Sequence, residues 1–271
     1  MRQIGFPLNL IRLTASEKVC CEKILSNTDA WIARNINKRI SMPVSIYLAR
    51  AGVTPNQITF FNLLLGVLAG LIASFGGYQN LVWGAVLFQL VSIIDGCDGE
   101  VAKLNQKATR FGAWFDTVGD NLAFVLFITG VTFGLYHETH AIWIVHLAKL
   151  SLFSFAILLC IMVSYLIQAK NSSASLVTYE KEVVSASAKK QNAFVSVVVH
   201  YGKFLVKKDF FAFLFFVMAL VDLPETIVVF SAVGTTAVAL VLSGITLKRR
   251  RAAKVAAAQS VPAEEPTGVS P

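Results

Sequence analysis

The stretch "DGCDGEVAKLNQKATRFGAWFDTVGD", residues 95 to 120, sets four aspartates (Asp95, Asp98, Asp116 and Asp120) between flanks that are almost wholly apolar. Upstream run "TFFNLLLGVLAGLIASFG" and "LVWGAVLFQLVSII", and downstream runs "NLAFVLFITGVTFGLY". The whole chain shares this character: of 271 residues 55% are hydrophobic and 15% charged, and the mean hydropathy is +0.64. That balance excludes an ordinary soluble domain and reads as an all-α integral membrane protein.

A helix needs about 20 apolar residues to cross roughly 30 Å of hydrocarbon. Six runs meet or approach that length, near 57–76, 80–102, 112–134, 147–168, 209–222 and 225–246, the fifth being short. The expected fold is therefore six transmembrane helices occupying residues 53–247, preceded by an N-terminal cytoplasmic segment (1–28) and an interfacial amphipathic stretch (29–52). In that stretch "DAWIARNINKRI" gathers Trp31, Ile32, Ile36 and Ile40 on one helical face, and Pro43 is expected to interrupt the helix. Residues 248–271, basic and then small and polar, read as a disordered tail. The start of the chain lacks the pattern of a cleaved signal peptide.

The net charge of +8 raises the possibility of a nucleic-acid partner, but the positions of the charges exclude it. With both termini cytoplasmic, nearly all Lys and Arg beyond the N-terminal segment fall in inner loops and the tail, and Lys149 is the exception. The chain is thus expected in the inner, cytoplasmic membrane of the cell. Cys20, Cys21, Cys97 and Cys160 show no metal-ligand spacing and read as free thiols. His140, His146 and His200 lack convergent partners. Gly66 with Gly70, and Gly130 with Gly134, suit close helix contacts, either within the bundle or across a dimer.

Depth then brings the aspartates together. Asp95 and Asp98 lie roughly 12 and 8 Å from the cytoplasmic end of span two, and Asp116 and Asp120 roughly 6 and 12 Å into span three. Spacings of three and four put each pair on one helix face. An Asp at mid-membrane costs about 2.5–3.5 kcal/mol, so four cost on the order of 10 kcal/mol, comparable with a domain's whole stability. Pairing with Lys103, Lys107 and Arg110 is a poor match for four carboxylates at two depths. Oxygen-only donors fit hard divalent cations, Mg²⁺ or Mn²⁺, whose shells a phosphate-bearing substrate would complete.

Read as D-x2-D-G-x2-A-K-x8-G-x3-D-x3-D, residues 95–120 resemble the motif of the CDP-alcohol phosphotransferase (phosphatidyltransferase) family of six-span membrane enzymes. Asp95, Asp98, Gly99, Ala102, Gly112, Asp116 and Asp120 fall at the family's positions, and the likeness in architecture covers about residues 29–246. Lys103 stands where the family usually has Arg, and Asn121 where a basic residue is common. "TPNQIT" resembles the family segment beside the nucleotide; read alone, it is a helix start with Thr54 as cap and Pro55 at the first helical position.

The resemblance implies two divalent ions, Mg²⁺ or Mn²⁺, held by Asp95, Asp98 and Asp116, with Asp120 sharing a metal and serving as general base on the acceptor hydroxyl. It implies a nucleotide site at Thr54, Asn56, Thr59, Gly99, Ala102, Lys103 and Gly112, although the small residues equally suit helix packing. Arg110, Lys170 and Lys203 are candidates for an acceptor phosphate. The implied reaction moves a phosphoalcohol from a CDP-alcohol to a hydroxyl and releases CMP. "DGCDGE" and "RFGAWFDT" look most like the branch making di-myo-inositol phosphate compounds, often joined to a cytidylyltransferase domain that is not read here. That branch has an inositol phosphate or similar polyol phosphate as acceptor. A phospholipid product made from CDP-diacylglycerol is the close alternative, and a cation transporter using the carboxylates as an ion path is the rival of another class. Family members form homodimers, so a homodimer in contact with membrane lipids is expected.

Overall fold

The computed structural model describes residues 11–28, 32–168 and 208–259, and among them every regular element is helical. Helix α1, Ala15–Ser26, begins at a reciprocal cap: Glu17 N–H donates to Thr14 Oγ1, and the Glu17 carboxylate accepts from Thr14 N–H. A single π-helical turn, Ala33–Asn37, leads into α2, Lys38–Arg50. Then come α3 (Pro55–Ser74), α4 (Tyr78–Leu104), α5 (Arg110–Thr139), α6 (Ile142–Gln168), α7 (Lys208–Leu220) and α8 (Pro224–Gln259).

Five of these helices carry stretches long and apolar enough to cross a membrane, Pro55–Ser74, Tyr78–Leu104, Phe111–Thr139, Ile142–Ile161 and Pro224–Gly244. The expected fifth of six spans is instead the shorter α7, whose 13 residues reach only about 20 Å, less than the hydrocarbon thickness. The chain is a helical membrane protein with five such spans among the described residues.

Close approach of α3 to its neighbours organises the bundle. A methyl group on Gly66 would meet the Ala123 side chain at 2.6 Å, one on Gly70 the Leu126 carbonyl at 2.6 Å, and one on Gly134 the Ala73 carbonyl at 2.6 Å. The small-residue pairs therefore seat α3 against α5, inside the bundle. Gly84 does the same for α4 on Ala73 of α3. Helix α6 packs on α8, and α2 and α7 pack on α4.

Two sequence expectations need correction. Helix α2 continues straight through Pro43. Its buried stripe, with Asn37 just before it, is Ser41, Met42, Ser45 and Ile46, while Ile40, Val44 and Tyr47 are exposed. The small polar stripe pairs with α4 in the same direction, Asn37 with Ser92 and Ser41 and Ser45 with Glu100, so contact with a span takes precedence over the expected apolar face. Trp31 lies outside the described residues. The expected disorder from 248 is also overturned as far as 259: α8 runs on to Gln259, as an Ala-, Lys- and Arg-rich sequence favours. Residues 260–271 lie outside the described part.

Candidate active site

Facing stretches of α4 and α5 bring the aspartates together. One carboxylate oxygen each from Asp95, Asp116 and Asp120 lies within 4.8 Å of the others, all three side chains being half-buried. Asp98, 6% exposed, adjoins Asp116 side chain to side chain. Its Oδ2 accepts a 2.6 Å hydrogen bond from Thr59 Oγ1 on α3, and its Oδ1 accepts from the Gly99 N–H. Like charges this close repel strongly in a medium of low dielectric. A divalent cation removes that repulsion, and the donor set suits one: carboxylate oxygens alone, at half-buried positions, with no soft ligand in the group.

The surroundings differ from side to side. Around Gly99 no atom lies within 4 Å of where a side chain would begin, so the wall above Asp98 is open. Opposite it, Gly112 is confined, because a methyl there would meet Asn56 Oδ1 at 2.9 Å and Thr109 Oγ1 at 3.0 Å. Gly112 thus lets the start of α3 approach the start of α5, and Thr109 caps α5 by accepting from the Gly112 N–H at 3.0 Å. Thr54 is exposed, with its N–H on Gln57 Oε1 at 2.9 Å, and Pro55 opens α3. The Thr59 hydroxyl has two acceptors in reach, Asp98 Oδ2 at 2.6 Å and the Pro55 carbonyl at 3.2 Å.

Below the carboxylates the bundle is closed by aromatic rings. Phe88 and Phe127 stack with centroids 4.3 Å apart and planes at 3°, and Phe215 stands 6.5 and 6.3 Å from them. None of the three is more than 1% exposed. Phe88 precedes Asp95 by two helical turns and Phe127 follows Asp120 by two, so this plug lies about 10 Å deeper.

Other expected site residues are less central. Ala102 is half-buried. Lys103 is exposed and lines a cavity of ≈ 310 Å³ with Cys20, Lys23, Ile24 and Asn27 of the α1 region. Asn121 turns back along its own helix, its Nδ2 donating to the Thr117 carbonyl. Arg110 opens α5, but its side chain, like Lys170 and Lys203, lies outside the described residues.

One buried group escaped the sequence reading. Glu100, 2% exposed, lies on α4 two residues beyond Asp98 and accepts from Lys38 Nζ, from Ser41 Oγ at 2.8 Å and from Ser45 Oγ at 2.6 Å. Only its place in "DGCDGE", next to an apolar helix, hinted at it.

Residues 52–241, well over half of the chain, match the CDP-alcohol phosphatidyltransferase family. The chain belongs to this family. Members of the family depend in general on divalent metal, which the carboxylate group in this structure would suit. It is 38% identical over 107 residues to a bifunctional IPC transferase and DIPP synthase of Aquifex aeolicus, covering 40% of this chain and 24% of that protein. It is 30% identical over 151 residues to the protein of the same name from Archaeoglobus fulgidus, covering 56% and 28%. An archaetidylinositol phosphate synthase of Pyrococcus horikoshii is 32% identical over 88 residues, covering 32% and 45%. The chain thus spans about a quarter of the length of the bifunctional relatives and under half of the third.

Proposed function

We propose that this chain transfers a phosphoalcohol group from a CDP-alcohol to a hydroxyl of an inositol phosphate or similar polyol phosphate, with release of CMP. The observation that carries the reading is the meeting of Asp95, Asp116 and Asp120, with Asp98 beside them, next to the open wall at Gly99. The names of the similar proteins, an IPC transferase and DIPP synthase and an archaetidylinositol phosphate synthase, favour inositol chemistry.

Asp95, Asp98 and Asp116 would hold two Mg²⁺ or Mn²⁺ ions, with Asp120 close enough to share one. When bound, these ions would neutralise the donor's diphosphate and the CMP that departs. Thr59 fixes Asp98 by its short hydrogen bond, so that carboxylate is orientated before substrate arrives. Gly99 leaves space for the nucleotide against the α4 backbone, with Ala102, Gly112, Asn56 and Thr54 along the cytoplasmic rim and Lys103 supplying a positive charge. Asp120, one turn beyond Asp116, accepts the proton of the acceptor hydroxyl. The acceptor oxygen forms its bond to the donor's alcohol-bearing phosphorus as the bond from that phosphorus to the CMP oxygen breaks. Arg110, Lys170 and Lys203 remain the candidates for the acceptor's phosphate.

The phospholipid alternative shares every step and differs only in the donor, CDP-diacylglycerol. The transporter reading is disfavoured by the buried Phe88, Phe127 and Phe215 rings stacked beneath the carboxylates. The Lys/Arg asymmetry supports cytoplasmic termini in an inner membrane, and a homodimer follows from family habit.

The deciding experiment offers the purified enzyme a CDP-polyol or CDP-diacylglycerol donor with inositol phosphate or inositol as acceptor and measures CMP. Release that needs the CDP-polyol, inositol phosphate and Mg²⁺ or Mn²⁺ supports the proposal. Release with CDP-diacylglycerol alone moves the assignment to the lipid branch, and no release with any pair overturns it.

A further inference from the structure

Glu100 and Lys38 form an ion pair that the proposed chemistry does not use. The pair is 62 residues apart in sequence and nearly out of water, with the side chains 2% and 16% exposed. Removing such a carboxylate from water is costly unless its lone pairs are met. Three donors meet them: Oε1 takes Lys38 and Ser41, and Oε2 takes Ser45. All three donors come from one stripe of α2. The neighbouring thiol of Cys97 reaches the Ser41 carbonyl at 3.6 Å.

The sequence of α4 makes room for this pair. A methyl on Gly96 would lie 3.2 Å from Lys38 Nζ and 3.4 Å from Ser41 Oγ. In "DGCDGE" the metal-facing residues are Asp95 and Asp98, while Gly96, Cys97 and Glu100 face α2. The two sets interleave on less than two turns of helix, so any rotation or slide of α4 against α2 moves both aspartates at once.

We propose that Glu100, locked by Lys38, Ser41 and Ser45, is a positioning residue that sets the rotation and height of α4 and so presents Asp95 and Asp98 to the metals. This rests on the metal-dependent reading above. Glu100 touches neither substrate nor metal in this scheme; it acts through the backbone it shares with the two ligands. Groups that orientate metal ligands typically cost about 10- to 100-fold in affinity when lost, and an indirect brace belongs at the lower end.

The test is Mn²⁺ binding in the presence of CDP, followed by electron paramagnetic resonance on purified full-length protein, with thermal unfolding measured alongside. Glu100→Gln leaves the Lys38 ammonium buried without its partner, so the protein should be less stable and Mn²⁺ affinity about tenfold weaker. Glu100→Asp, which keeps the charge, should recover part of that affinity. In the double variant Lys38→Met with Glu100→Gln no lone charge remains, so thermal stability should return towards wild type while Mn²⁺ affinity stays low. That split is the result a purely structural role would not give, and it can be read even if Glu100→Gln alone fails to fold. Wild-type Mn²⁺ affinity in Glu100→Gln, or affinity that recovers together with stability in the double variant, overturns the proposal. Failure of the wild type itself to bind Mn²⁺ with CDP would instead bring down the metal-dependent reading on which it rests.

Discussion

Helix α4 carries two polar clusters within two turns, and they solve opposite problems. Towards α2, Glu100 is matched by one ammonium and two hydroxyls, so its charge is balanced within the chain. Towards α5, Asp95 and Asp98 meet two more carboxylates, and Asp98 accepts from the Thr59 hydroxyl and the Gly99 amide. An internally balanced cluster joins helices. A group of four carboxylates beside an open wall at Gly99 is suited to receive a cation from outside. The contrast teaches that polarity in a span is not itself a mark of function; the sign balance and the open wall are.

Breaking the same-sign cluster should have the largest consequence. Asp98→Asn or Asp116→Asn should reduce CMP release to background and also weaken CDP binding, while the protein still inserts and purifies. Full turnover in either variant would remove these residues from the metal set. Asp120→Asn should lower turnover by about 10²- to 10⁴-fold, the usual contribution of a general base, with CDP affinity within a small factor of wild type. If this variant loses CDP as badly as Asp98→Asn, Asp120 is a fourth metal ligand instead. Thr59→Val keeps the shape but deletes the donor to Asp98, and should weaken Mn²⁺ binding by about 10- to 100-fold; unchanged metal dependence would make the 2.6 Å contact incidental.

The smallest effect belongs to a second ion pair, at the exposed surface. Glu17 accepts from Arg50 at 2.9 and 2.7 Å, clasping α1 to the end of α2, and the Arg50 guanidinium pulls its carboxyl down to about 2. A lowered carboxyl stabilises the fold above the ordinary carboxylate range, and that contribution disappears as pH falls towards about 2. Glu17→Gln should therefore lower the unfolding temperature slightly at neutral pH, with the gap from wild type closing as the medium is acidified. A gap that widens in acid would contradict the sign of this linkage.

How much of this was legible in the sequence follows from the range of each interaction. The aspartate spacings are local to two helices, so their convergence could be read from period and depth alone. Thr54 and Pro55 announce the start of α3 by the same local logic. Gly66, Gly70, Gly130 and Gly134 signalled close packing but not its partner, because small residues look alike whether they face a span of the same chain or another copy. The Lys38 to Glu100 pair was invisible because nothing local links residues 62 apart, and a hydrophobic-face reading of α2 assigns its serines to water. Pro43 misled because an interior proline ordinarily breaks a helix, whereas packing of the Ser41 to Ile46 face on its neighbours carries α2 through it. The cap of α1 was readable in principle, as Thr14 and Glu17 have capping-box spacing.

The central claim is that the open cluster is completed by divalent cations whereas the Glu100 cluster is complete as it stands. It is tested most directly by counting Mn²⁺ ions bound per chain in the presence of CDP, in wild type and in Asp116→Asn. The account predicts two ions per chain in the wild type, removed by chelation and lost in the variant. A wild-type protein that binds CDP but no Mn²⁺, or an Asp116→Asn protein that binds Mn²⁺ as the wild type does, would contradict it.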